Sequence, residues 1–213
     1  PRGGSGGRHA RMTAARVWLL VVGGLLAATA AHAQMAGVWD RGLTGRGTPR
    51  WAERDGKLIY RGGAASAWAV LRDASVRDGW VQVRLRPIGG RQDRAGGVIW
   101  RWRDANNYYV ARAHALAGNV VAFKVVDGRR VDLTLVDGPT GPEGARAGVT
   151  SATWHTLRVD FAGGEFRVTF DGRRLFAVRD DALAEPGGAG VWSKADSVTE
   201  FQKFEYAATT VRE

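Results

Sequence analysis

The sequence predicts an all-β protein, a sandwich of two antiparallel sheets. Three observations carry this expectation. After Gln34 no run of ten or more residues shows the apolar spacing of an amphipathic helix. Short segments in which apolar and polar residues alternate dominate instead. Glycines, Asp-Gly pairs and asparagines punctuate them as turns, the rhythm of a sandwich.

Before Gln34 the chain reads differently. Arg11 and Arg16 come first, an apolar run extends from Val17 to Ala30, and Ala31-His32-Ala33 follows. Basic, apolar, then small-x-small is the order of a secretory signal peptide, here cleaved after Ala33. The run of 14 residues is short of the roughly 20 a spanning helix needs. An exported protein, periplasmic or extracellular, is expected, with no stable membrane insertion after cleavage. Met12 is the expected start. Residues 1–33 are then over-extended N-terminus plus signal peptide, 34–50 a lead-in, 51–207 the sandwich and 208–213 a tail.

Twelve strands are expected in order: Lys57–Arg61, Trp68–Leu71, Trp80–Arg86, Gly97–Arg103, Tyr108–Ala113, Val120–Val126, Arg130–Val136, Thr153–Phe161, Glu165–Phe170, Arg173–Val178, Gly190–Ser193 and Val198–Tyr206. A short helix or turn is expected at Asp180–Ala184, and a loop over Gly138–Gly148. Two hairpins can be registered. Gly163-Gly164 makes a two-residue turn, so Phe161 opposes Phe166, Val159 opposes Val168 and Leu157 opposes Phe170, all apolar. A three-residue loop with Gly128 left-handed places Phe123 opposite Val131 and Val121 opposite Leu133.

The segment Gly97–Val136 suggests a site. Strict alternation puts Val98, Trp100 and Trp102 on one face and Arg101 and Arg103 on the other. A four-residue loop over Asp104–Asn107 then pairs Arg103 with Tyr108 and Arg101 with Val110. The expected buried face carries Val98, Trp100, Trp102, Val121 and Phe123. The open face carries Arg101, Arg103, Tyr108, Arg112 and Lys124, with Trp192 and Lys194 at its rim. Guanidinium forks suit carboxylates or vicinal hydroxyls, and a phenol suits a sugar ring. The competing reading is a solvated face whose arginine stems cover apolar surface. His114 and His155 read as structural histidines.

Composition excludes several classes. The 213 residues contain no cysteine, so there is no disulfide framework, thiolate metal site or thiol nucleophile. Only 4 histidines remain, which argues against a multi-histidine metal site; neither metal nor cofactor is indicated. Removing the four arginines of residues 1–33 leaves 27 basic against 21 acidic residues, a net of +6. In an exported protein that excess points to an anionic polysaccharide or the cell surface rather than nucleic acid. Glycoside hydrolysis needs two facing carboxyls. The Glu-x-Asp-x-x-Glu pattern is approached only by Glu53-Arg54-Asp55-Gly56-Lys57-Leu58, which lacks the last acid.

Four segments together resemble a known superfamily: residues 96–116 (GGVIWRWRDANNYYVARAHAL), 123–130 (FKVVDGRR), 154–176 (WHTLRVDFAGGEFRVTFDGRRLF) and 190–206 (GVWSKADSVTEFQKFEY). They are similar to exported bacterial domains of the concanavalin A-like lectin/glucanase superfamily, of the 3-keto-disaccharide hydrolase-like (family-sixteen glycoside-hydrolase-like) group. The resemblance covers about Trp51 to Tyr206. It implies a jelly-roll sandwich whose concave sheet holds saccharide. One departure stands out: similar sequences often carry acids in the last strand, where this chain has Gln202-Lys203 between Phe201 and Phe204. The expected function is thus a carbohydrate-binding sandwich without a catalytic carboxylate pair. Two alternatives stay open: a glycoside-cleaving enzyme, with Asp132 and His155 as acid/base candidates, and a cell-envelope protein-interaction module.

Overall fold

The computed structural model describes residues 37–138 and 144–209; the expected leader segment and most of the expected tail lie outside them. Sixteen strands form, and no helix, among the described residues. They are β1 (Trp39–Gly47), β2 (Trp51–Arg54), β3 (Lys57–Arg61), β4 (Ala64–Leu71), β5 (Gly79–Gly89), β6 (Ala95–Asp104), β7 (Asn107–His114) and β8 (Asn119–Val126). There follow β9 (Arg129–Asp132), β10 (Thr134–Asp137), β11 (Ala145–Arg146), β12 (His155–Ala162), β13 (Glu165–Phe170), β14 (Arg173–Arg179), β15 (Gly188–Ala195) and β16 (Val198–Ala208).

Two antiparallel sheets result, as expected. Sheet I runs β1-β4-β15-β6-β7-β8-β11, with β9 also paired to β8; sheet II runs β10-β14-β13-β12-β5-β16-β3-β2. Alternation is cleanest in the centre of sheet II, where β5 and β12 switch residue by residue between buried and half-buried. Their inward residues Val81, Val83, Leu85, Leu157, Val159 and Phe161 meet Val98, Trp100, Tyr109 and Ala111 of sheet I in the principal core. Trp100 stacks on Tyr109 with centroids 5.3 Å apart and meets Phe166 edge-on at 5.3 Å. Offset and edge-on pairs are the favoured arrangements of ring quadrupoles.

The hairpin at Gly163 has the expected register, with Phe161 opposite Phe166, Val159 opposite Val168 and Leu157 opposite Phe170. Gly163 sits at φ 53°, which a side chain would resist. The hairpin at Gly128 differs by one residue. Val126 pairs with Arg129, so Phe123 opposes Asp132 and Lys124 opposes Val131. The reason is the turn: Asp127 and Gly128 both have positive φ, 50° and 74°, the geometry of a two-residue hairpin loop. The hairpin between β6 and β7 is likewise tighter than expected. Asp104 pairs with Asn107, Trp100 with Tyr109 and Ile99 with Val110. Arg101 therefore does not oppose Val110, nor Arg103 Tyr108.

The expected strand Arg130–Val136 is two strands. It breaks at Leu133, which packs on the core, and the chain crosses from sheet I to sheet II. Three strands escaped the sequence reading: β1, β2 and β11. Both β1 and β2 are edge strands, and only two of the nine β1 residues are buried, so neither needs strict alternation. Residues 180–184 form a turn, in which the Asp180 carboxylate accepts the Ala182 N–H at 3.0 Å.

Candidate functional site

The outer face of sheet I carries an apolar cluster that a wholly solvated face would lack. Ile99, Tyr108, Val110, Val121, Phe123, Val125 and Trp192 form a second cluster there, separate from the core between the sheets, with Trp68 and Trp102 packed against it. Strand pairing explains the layout. Gly42, Trp68, Trp192, Gly97, Arg112 and Val121 stand side by side across β1, β4, β15, β6, β7 and β8. Trp68 leans over Gly42, where a Cβ would come within 2.4 Å of the indole. At Gly97, between Trp192 and Arg112, a Cβ would come within 2.2 Å of the Ala111 carbonyl oxygen, so only glycine fits there.

A cleft of about 260 Å³ opens on this face. Phe123, Val125 and Trp192 line it as apolar residues, Thr44 and Ser66 supply hydroxyls, and Arg112, Arg130 and Lys194 bring positive charge. No Asp or Glu of the described residues lines it. A small network holds the floor. Trp192 Nε1 donates to Ser66 Oγ at 2.7 Å, Ser66 Oγ lies 3.3 Å from the Tyr108 hydroxyl, and that hydroxyl lies 2.7 Å from Thr44 Oγ1. Thr44 donates onward to the Ala105 carbonyl. Burial pushes the Tyr108 hydroxyl pKa up, against these hydrogen bonds. Phe123 meets Trp192 edge-on at 5.7 Å, and the Arg130 guanidinium lies over the Phe123 ring at 4.5 Å.

The cations differ in how they are compensated. Lys194 Nζ is 3.2 Å from Asp93, which also meets His114 Nε2 at 2.9 Å. Burial holds His114 below the ordinary imidazole range, despite Asp93. Arg130 pairs with Asp132 at 3.0 Å. Arg112 donates one N–H to the side-chain oxygen of Asn119 at 3.3 Å, and its buried Nε has no hydrogen-bond partner among the described residues. Desolvation, reinforced by nearby Arg130 and opposed by Asp93, pushes its pKa down to about 10. Asp93 sits in a loop shaped by Asp196, whose carboxylate accepts the backbone N–H groups of Arg91, Gln92 and Asp93 at 2.6, 3.1 and 2.9 Å. Those three bonds pull the Asp196 pKa down to about 2.

Of the seven residues expected to share a face, Arg112, Trp192 and Lys194 come together in the cleft. Tyr108 lies beneath, fully buried and engaged by hydroxyls. Arg101 does not reach the open face. It is 1% exposed and donates to the Arg77 carbonyl at 2.9 Å, the Leu183 carbonyl at 3.3 Å, Asp78 at 3.2 Å and the Gly163 carbonyl at 2.7 Å. Its left-handed backbone, φ 48°, interrupts the alternation. Trp100 therefore faces the core while Trp102, expected beside it, lies on the outer face 5.4 Å from Trp68. Val121 and Phe123, expected in the main core, also lie on the outer face. Lys124 sits level with Tyr109, on the opposite side of sheet I from the cleft, and pairs with Asp180 at 2.6 Å. Arg103 is exposed near the end of β6 and does not line the cleft.

The acid/base candidates do not form a pair. Asp132 ends β9 beside Arg130, whereas His155 begins β12 in the other sheet. His155 is buried, its Nδ1 2.7 Å from Asp171, and its Nε2 accepts the Thr150 N–H at 3.1 Å, so both ring nitrogens are engaged structurally. Sequence reasoning missed Thr44, Ser66 and Arg130 as site residues. Thr44 and Ser66 belong to strand segments outside the expected strands, and only the pairing of β1 with β4 sets them opposite each other.

No protein-family model matches the chain, and no curated protein matches it in sequence. Solved structures do match. The carbohydrate-binding module CBM66 from Bacillus subtilis superposes with a TM-score of 0.67 at 19% identity, over 80% of this chain and 96% of its own. The Bacillus licheniformis β-glucanase superposes with a TM-score of 0.53 at 11% identity, over 82% and 94%. A prokaryotic β-1,3-1,4-glucanase (lichenase) derived from a mouse hindgut metagenome gives 0.53 at 16% identity, over 81% and 94%. The likeness is one of fold: the chain is a jelly-roll sandwich of two antiparallel sheets, as the sequence predicts.

Proposed function

We propose that this domain binds carbohydrate on the outer face of sheet I and does not cleave it. The observation that carries the reading is the cleft itself: an apolar floor with Phe123 and Trp192, hydroxyls and forked cations at its sides, and no carboxylate among its described lining residues. Aromatic and aliphatic groups suit the C–H faces of a sugar, while hydroxyls and guanidinium groups suit its oxygens. At about 260 Å³ the cleft is just below the roughly 300–1,000 Å³ of sites for drug-sized ligands, so it suits a short segment or a chain end. Hydrolysis by the usual route needs two carboxyls facing across the bond, and the described lining residues of the cleft offer none. The likeness in fold to a carbohydrate-binding module and to glucanases supports the reading. The basic, apolar, small-residue order of Arg11 to Ala33 supports export, where polysaccharide is met.

Isothermal titration of the purified protein against neutral and acidic oligosaccharides tests this, together with an assay for new reducing ends. Saturable binding without reducing ends, weakened about tenfold or more by Phe123→Ala, is the expected result. Release of reducing ends would overturn the non-cleaving half of the reading. Silence across the whole panel would overturn the reading itself.

A further inference from the structure

We propose that the ligand of this cleft is an acidic saccharide and that Arg112 is the residue that takes its anionic group. The inference rests on reading the cleft as a saccharide site and narrows its substrate class. Three cations line the cleft, and no acid of the described residues does. Two of the three are already compensated: Lys194 by Asp93 at 3.2 Å and Arg130 by Asp132 at 3.0 Å.

Arg112 stands apart. Among the described residues its guanidinium meets only the neutral amide oxygen of Asn119, at 3.3 Å, and its buried Nε meets no acceptor. A guanidinium half-withdrawn from water in this way is costly unless an anion meets it. The depression of its pKa to about 10, led by desolvation, reports the same deficit. A ligand carboxylate or ester sulfate meeting the cleft-lining end of the guanidinium would supply the counter-charge that the described residues leave out. Placement agrees with this. Arg112 is level with Trp192 across the side-chain-free position Gly97, so an anion held by Arg112 leaves the sugar ring beside the apolar floor.

Matched oligosaccharides decide the point: one ending in a uronate, its neutral hexose-terminated twin, and a twin bearing one ester sulfate. Titration of the purified protein is expected to show an acidic member binding about tenfold or more tightly than the neutral one. Whether the uronate or the sulfate shows the larger gain identifies the group. Arg112→Gln is expected to bring acidic and neutral twins within about twofold of each other. Arg112→Lys, which keeps the charge without the fork, is expected to retain part of the preference, and it serves as the readout should the glutamine variant fail to fold. A neutral twin that binds as tightly as both acids overturns the proposal and leaves the saccharide reading intact. Absence of binding by any member overturns both. A preference that survives undiminished in Arg112→Gln and Arg112→Lys overturns the assignment to Arg112.

Discussion

Trp100 and Trp102 stand two residues apart on β6 and face opposite sides of sheet I. Trp100 is stacked on Tyr109 in the core, and Trp102 packs on Trp68 outside it. Between them Arg101 adopts φ 48°, a bulge that reverses the alternation. The same reversal takes the Arg101 guanidinium out of the cleft and into the end of the sandwich. There it ties together the loop before β5, the turn between β12 and β13, and the loop before β15.

Arg101 therefore has a structural task, and its removal should show as lost stability. Arg101→Met removes the guanidinium from three carbonyls and leaves Asp78 with the Gly163 N–H at 2.8 Å, and a cost of about 3–5 kcal/mol in urea unfolding is expected. Saccharide affinity of the folded fraction should stay within twofold of the parent. A tenfold loss of affinity at unchanged stability would contradict the assignment.

Ser66 joins Trp192 and Tyr108 beneath the cleft. Ser66→Ala removes the 2.7 Å acceptor of the Trp192 indole N–H and leaves that buried donor only the Tyr108 hydroxyl. Destabilisation of about 1–3 kcal/mol is expected, with weaker saccharide binding as the floor loosens. Denaturant titration and calorimetry on the same preparation measure both.

Asp196 should confer a pH dependence on the loop that carries Asp93. Its folded pKa of about 2 lies below the roughly 3.9 of an unfolded aspartate. The pKa is lowered on folding, so the stabilisation is fully present above about pH 4 and is lost as pH falls toward 2. An NMR titration of the carboxyl should find a midpoint near 2. Asp196→Asn should reduce the drop in melting temperature across this window; a midpoint near 4 would contradict the hydrogen-bond account.

A second reversal lies in β16. Lys203 is exposed at φ 49°, and the pairing with β5 shifts between Gln202 and Glu205. That bulge lets Phe201 and Phe204, three residues apart, both enter the core. A left-handed non-glycine residue costs roughly 1–2 kcal/mol, so Lys203→Gly should raise stability by up to about 1 kcal/mol. Lys203→Val should lower it. The opposite ordering in chemical denaturation would show that the bulge is not the source of strain.

The hairpin at Gly163 was readable because turn chemistry and alternation agree there: the two-residue turn permits one register, and that register pairs apolar with apolar. The neighbouring case shows how little margin this leaves. The choice of a two-residue loop at Asp127-Gly128 over a three-residue one moved Phe123 from opposite Val131 to opposite Asp132. The cleft was legible only in part. Arg112, Trp192 and Lys194 stood out by residue type, but Thr44 and Ser66 carry no local mark.

By itself the sequence determined the all-β class, the strand-rich order and the absence of thiol chemistry, because these follow from local periodicity and composition. Which side of a sheet each cation occupies was decided by the tertiary structure. Left-handed bulges at Arg101 and Lys203 flip the alternation, and what holds them is not local preference but bonds from loops distant in the chain at Arg101 and burial of Phe201 and Phe204 at Lys203. The cleft, too, exists only once β1, β4, β7, β8, β9 and β15 lie together, since none of them carries enough of its wall alone.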